Sequence, residues 1–264
     1  MRNNIYIGTS GYVFSDWRGI FYPNDLKKNE FLKFYSNTFA TVELNFSYYA
    51  MPQTENLQKM ELQTPENFIF FIKAHKTMTH FKINGSSFKK VMEDSQKFSQ
   101  TVANYNKIKG ILFQFPYSFK YNRENLSIIE KIFKLIKNDI IVEFRHKSWL
   151  NYSVSDVLKR LGVTYCCVDE PNLPGLLPPI VRNFGKFSYI RFHGRNSQRW
   201  WSKDPNSGKL RYDYLYTDAQ LREWKDKIEF LSDESENVYI FFNNCHMGKA
   251  VKNAKTMQNI LRNL

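Results

Sequence analysis

The run Ile140-Ile141-Val142-Glu143-Phe144-Arg145-His146-Lys147-Ser148-Trp149 begins as an unbroken stretch of β-branched residues and ends in charge. Such a run predicts a buried strand. Side chains alternate faces along a strand, so Glu143 and Arg145 share one face while Val142 and Phe144 share the other. A strand that is apolar on one side and carries a Glu–Arg pair on the other borders a wet face or a polar cavity. The same pattern recurs at other strand ends, and that recurrence organises the whole reading.

Taken in order, the pattern predicts strands at Ile5 to Ser10, Thr41 to Asn45, Phe68 to Lys73, Gly110 to Phe115, the Ile140 run, Val163 to Asp169, Phe187 to His193 and Val238 to Asn243. Helical spacing predicts helices from about Leu26 to Phe39, Glu55 to Leu62, Ser87 to Lys107, Arg123 to Lys137, Val154 to Leu161 and Lys249 to Leu261. Thr217 with Gln220 reads as a capping box, and Leu221, Trp224, Ile228 and Leu231 form the stripe of the helix behind it. Pro171 to Pro179 holds four prolines and suits neither a regular helix nor a central strand.

Strands alternating with helices imply parallel pairing, because parallel neighbours need a crossover. Eight such units in 264 residues match an α/β fold, a closed (β/α)8 TIM barrel, as a single domain over residues 1–264. An open doubly wound sheet is the alternative. The barrel is preferred because polar residues sit at the carboxyl ends of so many strands, and in a barrel those ends converge on one mouth.

The candidate mouth gathers Glu43, Asn45, Lys73, His75, Gln114, Glu143, Arg145, Asp169, Arg191, His193 and Asn243. These residue types suit acid–base chemistry and anion binding. Glu43 and Glu143 are candidate bases, and His193 or His75 candidate proton shuttles. Asn45, Lys73, Gln114, Asp169 and Asn243 are candidate substrate-binding groups, with Arg145, Arg191 and Arg195 able to clamp a phosphate or carboxylate bidentately. Lys73 at a strand end also permits Schiff-base chemistry, although a solvated or ion-paired lysine is the plainer reading. The competing explanation for the set is structural: Lys73, Arg145 and Arg191 balance Glu43, Glu143 and Asp169 one for one, as buried charges must.

Composition adds a charge of +13, from 38 basic and 25 acidic residues. A basic surface attracts nucleic acid, anionic lipid or phosphorylated substrates, while a lysine-rich composition spread over exposed faces explains the same number without function. The loop from His193 to Lys203 interleaves cations with Trp200 and Trp201, so phosphates and bases could bind there; equally, the tryptophans could fold over the barrel as a cap. The five histidines form neither H-x-H nor H-E-x-x-H, so no metal is assigned and the cofactor is left open. Cys166, Cys167 and Cys245 are odd in number and lack C-x-x-C spacing, which points to reduced thiols in a cytoplasm. Met1-Arg2-Asn3-Asn4 leads straight into a strand, and no apolar run approaches a membrane span, so neither a signal peptide nor a membrane partner is expected.

Several ordered motifs together carry a family resemblance. They are Gly8-Thr9-Ser10-Gly11 with Asp16-Trp17 and Gly19; Val42-Glu43-Leu44-Asn45 with Tyr49 and Pro52; and Lys73 with Thr79-His80. Further along stand Phe113-Gln114-Phe115-Pro116, Glu143-Phe144-Arg145-His146 with Trp149, Asp169, Arg191-Phe192-His193-Gly194-Arg195, Tyr212-Tyr214-Tyr216, and Phe242-Asn243-Asn244 with Ala250 and Asn253-Ala254. Over essentially its full length the chain resembles the YecE-like family, a domain of unknown function. The resemblance implies a (β/α)8 barrel and no established activity, and a likeness of that barrel to DNA-repair endonucleases of the same fold implies nucleic-acid binding by analogy. Two functional classes therefore stand. One is an enzyme acting on an anionic substrate, a phosphorylated small molecule or nucleic acid, at the mouth. The other is a noncatalytic nucleic-acid-binding protein that uses its basic surface and Trp/Arg loop.

Overall fold

Eight strands run parallel in the order β1-β8-β7-β6-β5-β4-β3-β2 in the computed structural model. They are β1 (Ile5–Thr9), β2 (Thr41–Leu44), β3 (Ile69–Lys73), β4 (Ile108–Gln114), β5 (Asp139–Glu143), β6 (Thr164–Asp169), β7 (Ser188–Phe192) and β8 (Val238–Phe242). The structure describes residues 4–81, 85–202 and 210–262; Met1 to Asn3 and the Lys203 end of the Trp/Arg loop lie outside them. Helices α1 (Phe31–Ser36), α2 (Thr54–Leu62), α3 (Gly85–Val102), α4 (Arg123–Phe133), α5 (Tyr152–Arg160), α6 (Asp218–Arg222), α7 (Lys225–Glu234) and α8 (Lys249–Ile260) alternate with the strands. The proline-rich stretch connects β6 to β7 without a helix, as its composition requires. The chain is a single (β/α)8 barrel.

Several helices are shorter or more broken than periodicity implies: α1 covers only Phe31–Ser36 of the expected Leu26 to Phe39, and α4 stops at Phe133 rather than Lys137. The stripe Leu221, Trp224, Ile228 and Leu231 is fully buried, but it spans two helices, α6 and α7. The break at Glu223–Trp224 places the Trp224 indole so that its Nε1 donates to Asp169 Oδ2 at 2.7 Å. Helix α3 ends at Val102, five positions before Lys107. Beyond it, Tyr105 donates to the Thr54 carbonyl at 2.8 Å and Lys107 Nζ to the Glu61 carbonyl at 2.6 Å, contacts that a continued helix would forgo.

The barrel interior is filled from below by aromatic rings. Phe71 packs against Phe187, Tyr189, Tyr239 and Phe241, with centroids 4.7–5.6 Å away. Inward-facing side chains of successive strands meet in such layers. This plug closes the barrel beneath the carboxyl ends.

Closure between β1 and β2 is made differently from the other seams. Only an isolated bridge, Ser10 to Glu43, joins them, with the Gly11 amide donating to the Glu43 carbonyl at 2.8 Å. Below that bridge the Tyr35 hydroxyl, fully buried on α1, stands in for a ladder hydrogen bond. It accepts from the Thr9 amide at 2.9 Å and donates to the Thr41 carbonyl at 3.1 Å. The strands can approach this closely because Gly8 lacks a side chain: a Cβ there would lie 2.2 Å from the Thr41 carbonyl oxygen. Tyr35→Phe leaves a buried donor and a buried acceptor unpaired. It is expected to cost about 1–3 kcal/mol in urea unfolding. Wild-type stability in this variant would mean that the hydroxyl does not hold the seam.

Candidate functional site

Strand alternation delivers one charged group from each of several strands to the same layer. Arg191 on β7 sits at its centre and is almost fully buried. Its Nη1 donates to Glu143 Oε2 at 2.5 Å and to Gln114 Oε1 at 3.2 Å; its Nη2 donates to Glu43 Oε1 at 2.8 Å. One guanidinium thus ties β2, β4 and β5 to β7. Tyr189, two residues earlier on the same face, donates to the other Glu43 oxygen at 2.8 Å.

Glu143 carries a second cation. Arg145 Nε approaches Glu143 Oε1 at 2.5 Å, and His193 Nε2 lies 3.2 Å from the same oxygen. Both approaches are too far off line to count as hydrogen bonds, so these three buried atoms lack an aligned partner. Burial alone would raise the Glu143 carboxyl, but Arg145 and Arg191 outweigh it and hold the group well below the usual carboxylate range. Both arginines are pushed above their ordinary values, their carboxylate partners outweighing the burial that opposes the charge. Burial, then Arg145, lowers His193 to about 3, so the ring is neutral at neutral pH. Asn243 Nδ2 lies 3.1 Å from His193 Nδ1. With that amide donating, the ring proton sits on Nε2, facing Glu143.

Above this layer opens a cavity of about 780 Å³. Of the residues singled out from sequence, Asn45, Lys73, Gln114, Arg191 and Asn243 line it. Glu43, Glu143, Arg145 and His193 belong to the same buried network but do not line the cavity. Lys73 stands apart in its chemistry. Its Nζ donates to Gln114 Oε1 at 3.0 Å and lies 4.6 Å from the Tyr48 ring centre, and no carboxylate among the described residues forms an ion pair with it. Burial, then repulsion from Arg191, lowers its ammonium to about 7, although Glu43 and Glu143, beyond ion-pair distance, attract it and offset part of the shift.

The remaining predicted residues lie elsewhere. His75 turns its Nδ1 to Thr77 Oγ1 at 2.9 Å and caps the short turn after β3. Asp169 faces the helical layer, accepting from Tyr216, Trp224 and Arg195 at 2.6–2.9 Å, and Arg195 also donates to Glu223. Trp200 is buried, with Arg145 5.9 Å and Arg211 5.6 Å from its ring; Trp201 is half exposed beside Tyr117. The inward acid of β6 is the next residue, Glu170, which accepts from Arg145 Nη1 at 3.1 Å and the Leu177 amide at 3.1 Å. Burial raises it to about 7. Sequence reasoning missed Glu170, Tyr189 and the cavity residues Ser10, Tyr48 and Tyr212. Cys166, whose thiol donates to Glu143 Oε2 at 3.6 Å, fixes the parity of this strand and puts Glu170 on the inward face, a signal that only the structure supplies.

With the geometry in place, comparison with known proteins gives the relationship. Residues 6–264 match the family described as protein of unknown function DUF72. The chain belongs to the DUF72 family. The UPF0759 protein YunF of Bacillus subtilis (strain 168) is 33% identical over 270 residues, 97% of this chain and 94% of that protein. The crystal structure of a DUF72 family protein from Thermotoga maritima MSB8 is 36% identical, with a TM-score of 0.88 over 98% of this chain and 100% of that one. A D-psicose 3-epimerase with D-tagatose from Clostridium cellulolyticum H10 is 8% identical, with a TM-score of 0.52 over 90% of this chain and 94% of that one, and shares the fold alone. Among the described residues no helix is long and apolar enough to cross a membrane, and no group of His, Cys, Asp and Glu is arranged to hold a metal ion.

Glu143→Gln keeps the shape and removes the charge that balances Arg145 and Arg191. Stability is expected to fall by about 3–5 kcal/mol in denaturant melts, the usual consequence of stranding a buried charge. A change within error would show that the arginines find other partners.

The pH dependence of stability has a worked sign at His193. Its pKa in the folded chain is depressed to about 3 from an ordinary 6.5, so the unfolded chain binds more protons between those values. Its contribution is therefore present above about pH 6.5 and is lost as pH falls toward 3. Replacing it as His193→Asn should flatten the acid limb of the stability–pH curve between pH 4 and 6.5, roughly the span of that shift. An unchanged slope would contradict the buried neutral ring.

Proposed function

We propose that this chain is an enzyme acting on a small anionic molecule bound in the mouth cavity, with Lys73 and Arg191 as its anchoring cations. The observation that carries this reading is Lys73, a cavity-lining ammonium that no carboxylate partners among the described residues. A protein gains no stability from such a charge, whereas an incoming carboxylate or phosphate supplies the missing counter-ion. An amine near pKa 7 also matches general acid–base work at neutral pH. Glu143 is held too firmly ionised, and His193 too firmly neutral, to exchange protons as readily. Both support the reading as positioning residues that fix Arg191 and Asn243. The aromatic wall, with Tyr12, Tyr48 and Tyr212, offers faces and hydroxyls to a polar organic ligand.

A nucleic acid is the second reading. Half-exposed Trp201 beside Tyr117 offers a stacking surface, and the +13 charge offers attraction to phosphate. Lysines that would supply it include Lys89 and Lys90 on α3 and Lys131 on α4, none of which lines the mouth cavity. Free, buried Cys166, Cys167 and Cys245 support a reducing compartment such as the cytoplasm.

Thermal melts with a panel of small carboxylates, phosphates and a single-stranded oligonucleotide separate the readings. A small anion should stabilise the wild type and not Lys73→Met. Binding of the oligonucleotide alone, falling steeply with salt, would favour the second reading. Lys73→Met should also raise stability at pH 7. The folded pKa of about 7 lies below the ordinary 10.4, so the cost of the buried charge is full below pH 7 and disappears as pH rises toward 10.4. Wild-type stability should therefore climb over that range, and the climb should vanish in the variant. A less stable variant with unchanged ligand response would make Lys73 scaffolding.

A further inference from the structure

Lys73 has features that anion binding alone does not need. It sits at the carboxyl end of β3, on the wall of a cavity large enough for a metabolite, and its hydrogen-bonding partner is a neutral amide oxygen. Gln114 Oε1 receives two donors at once, Lys73 Nζ at 3.0 Å and Arg191 Nη1 at 3.2 Å. An amine and a guanidinium therefore converge on one amide oxygen at the wall of the cavity. At the ends of β1 and β2, the latter paired with β3, the buried Ser10 hydroxyl and the Asn45 side-chain oxygen line the cavity without a hydrogen-bond partner. Buried polar atoms of that kind are ordinarily satisfied, so a polar ligand is expected to complete them.

We propose that Lys73 is a nucleophile that forms a Schiff base with a 2-oxo acid, whose carboxylate pairs with Arg191. The proposal rests on the anionic-substrate reading and adds the carbonyl and the covalent bond. The neutral amine attacks the carbonyl carbon to give a carbinolamine. The carbon–oxygen bond then breaks, the carbonyl oxygen and both amine hydrogens leave as water, and a carbon–nitrogen double bond remains. Protonation of that imine makes it an electron sink for bonds at the neighbouring carbon. The lowered ammonium of Lys73 leaves about half of it in the reactive neutral form at pH 7, whereas an ordinary lysine is neutral at less than roughly one part in a thousand. Ser10 and Asn45 would hold hydroxyl or carbonyl oxygens of the bound acid.

The test is reductive trapping of the intact protein at pH 7 with glyoxylate and sodium cyanoborohydride, followed by peptide mapping. Glyoxylate is the smallest 2-oxo acid, and cyanoborohydride reduces the imine to a stable carboxymethyl amine. Trapping at Lys73 should run roughly a hundredfold faster than at exposed Lys89 or Lys186, since the larger neutral fraction is partly offset by weaker basicity. Acetaldehyde, which has a carbonyl and no carboxylate, should keep the part of that preference that the neutral amine supplies and lose any further enhancement that the Arg191 contact gives glyoxylate. Glycolate, with the carboxylate and no carbonyl, should protect Lys73 and raise the melting temperature. If glycolate stabilises the protein while glyoxylate labels Lys73 no faster than the exposed lysines, the Schiff base is overturned and the anionic-substrate reading stands. If glycolate neither stabilises nor protects and Lys73 is unlabelled, both fall. The comparison is internal to one wild-type digest, so it does not depend on a variant that folds.

Discussion

A single guanidinium, that of Arg191, holds the upper barrel together. It reaches Glu43 on β2, Gln114 on β4 and Glu143 on β5 from its own place on β7, so four strands share one buried cation. Each of these charges would be costly alone in a low-dielectric interior, and each is tolerable because its partners are fixed by the barrel register. The dependence runs both ways. The register places Gln114 beside Glu143 on neighbouring strands, and the ion pairs then penalise any slip of that register. Beneath lies the aromatic plug around Phe71, and above lies the cavity. The Arg191 layer is therefore both the floor of the site and the lid of the core.

Much of this was legible in the sequence because alternation is a local rule. Glu143 with Arg145, and Arg191 with His193, share faces as their spacing of two demands, and they meet in one network. Strand-end polarity also distinguished a barrel from an open sheet, since only closure brings β2 and β7 to opposite sides of one guanidinium. The family motifs pointed to the same fold. What failed was parity at a strand end. Asp169 and Glu170 are both acidic, and nothing in the local pattern said that the first faces the helices and the second the barrel axis. The Trp200–Trp201 pair posed the same problem: one ring is buried over Arg145 and the other is half exposed. The break between α6 and α7 was hidden for another reason. The contact it accommodates is to Asp169, 55 residues away in sequence.

The most informative property of the site was not legible at all. One-for-one charge balance paired Lys73 with a carboxylate on paper, but the acids of the layer are taken by Arg145, Arg191 and, further out, Arg195. Lys73 is left with an amide oxygen and a tyrosine face. Which cation goes without a partner is a tertiary outcome, decided by side-chain reach across the barrel. A fold that keeps such a group gives up stability at that position, a pattern associated with function.

The central claim is that Lys73 is a partly neutral amine under ordinary conditions. The most direct measurement is an NMR titration of the lysine side chains from about pH 5 to 11, which brackets both the lowered value and the ordinary lysine range, with the Lys73 signal assigned by its loss in Lys73→Arg. The account predicts a midpoint near 7 for that signal while the exposed lysines titrate near their ordinary value. A Lys73 midpoint at about 10 or above would mean that the ammonium is well paired in solution, and the cavity would then lose the group on which its proposed chemistry depends.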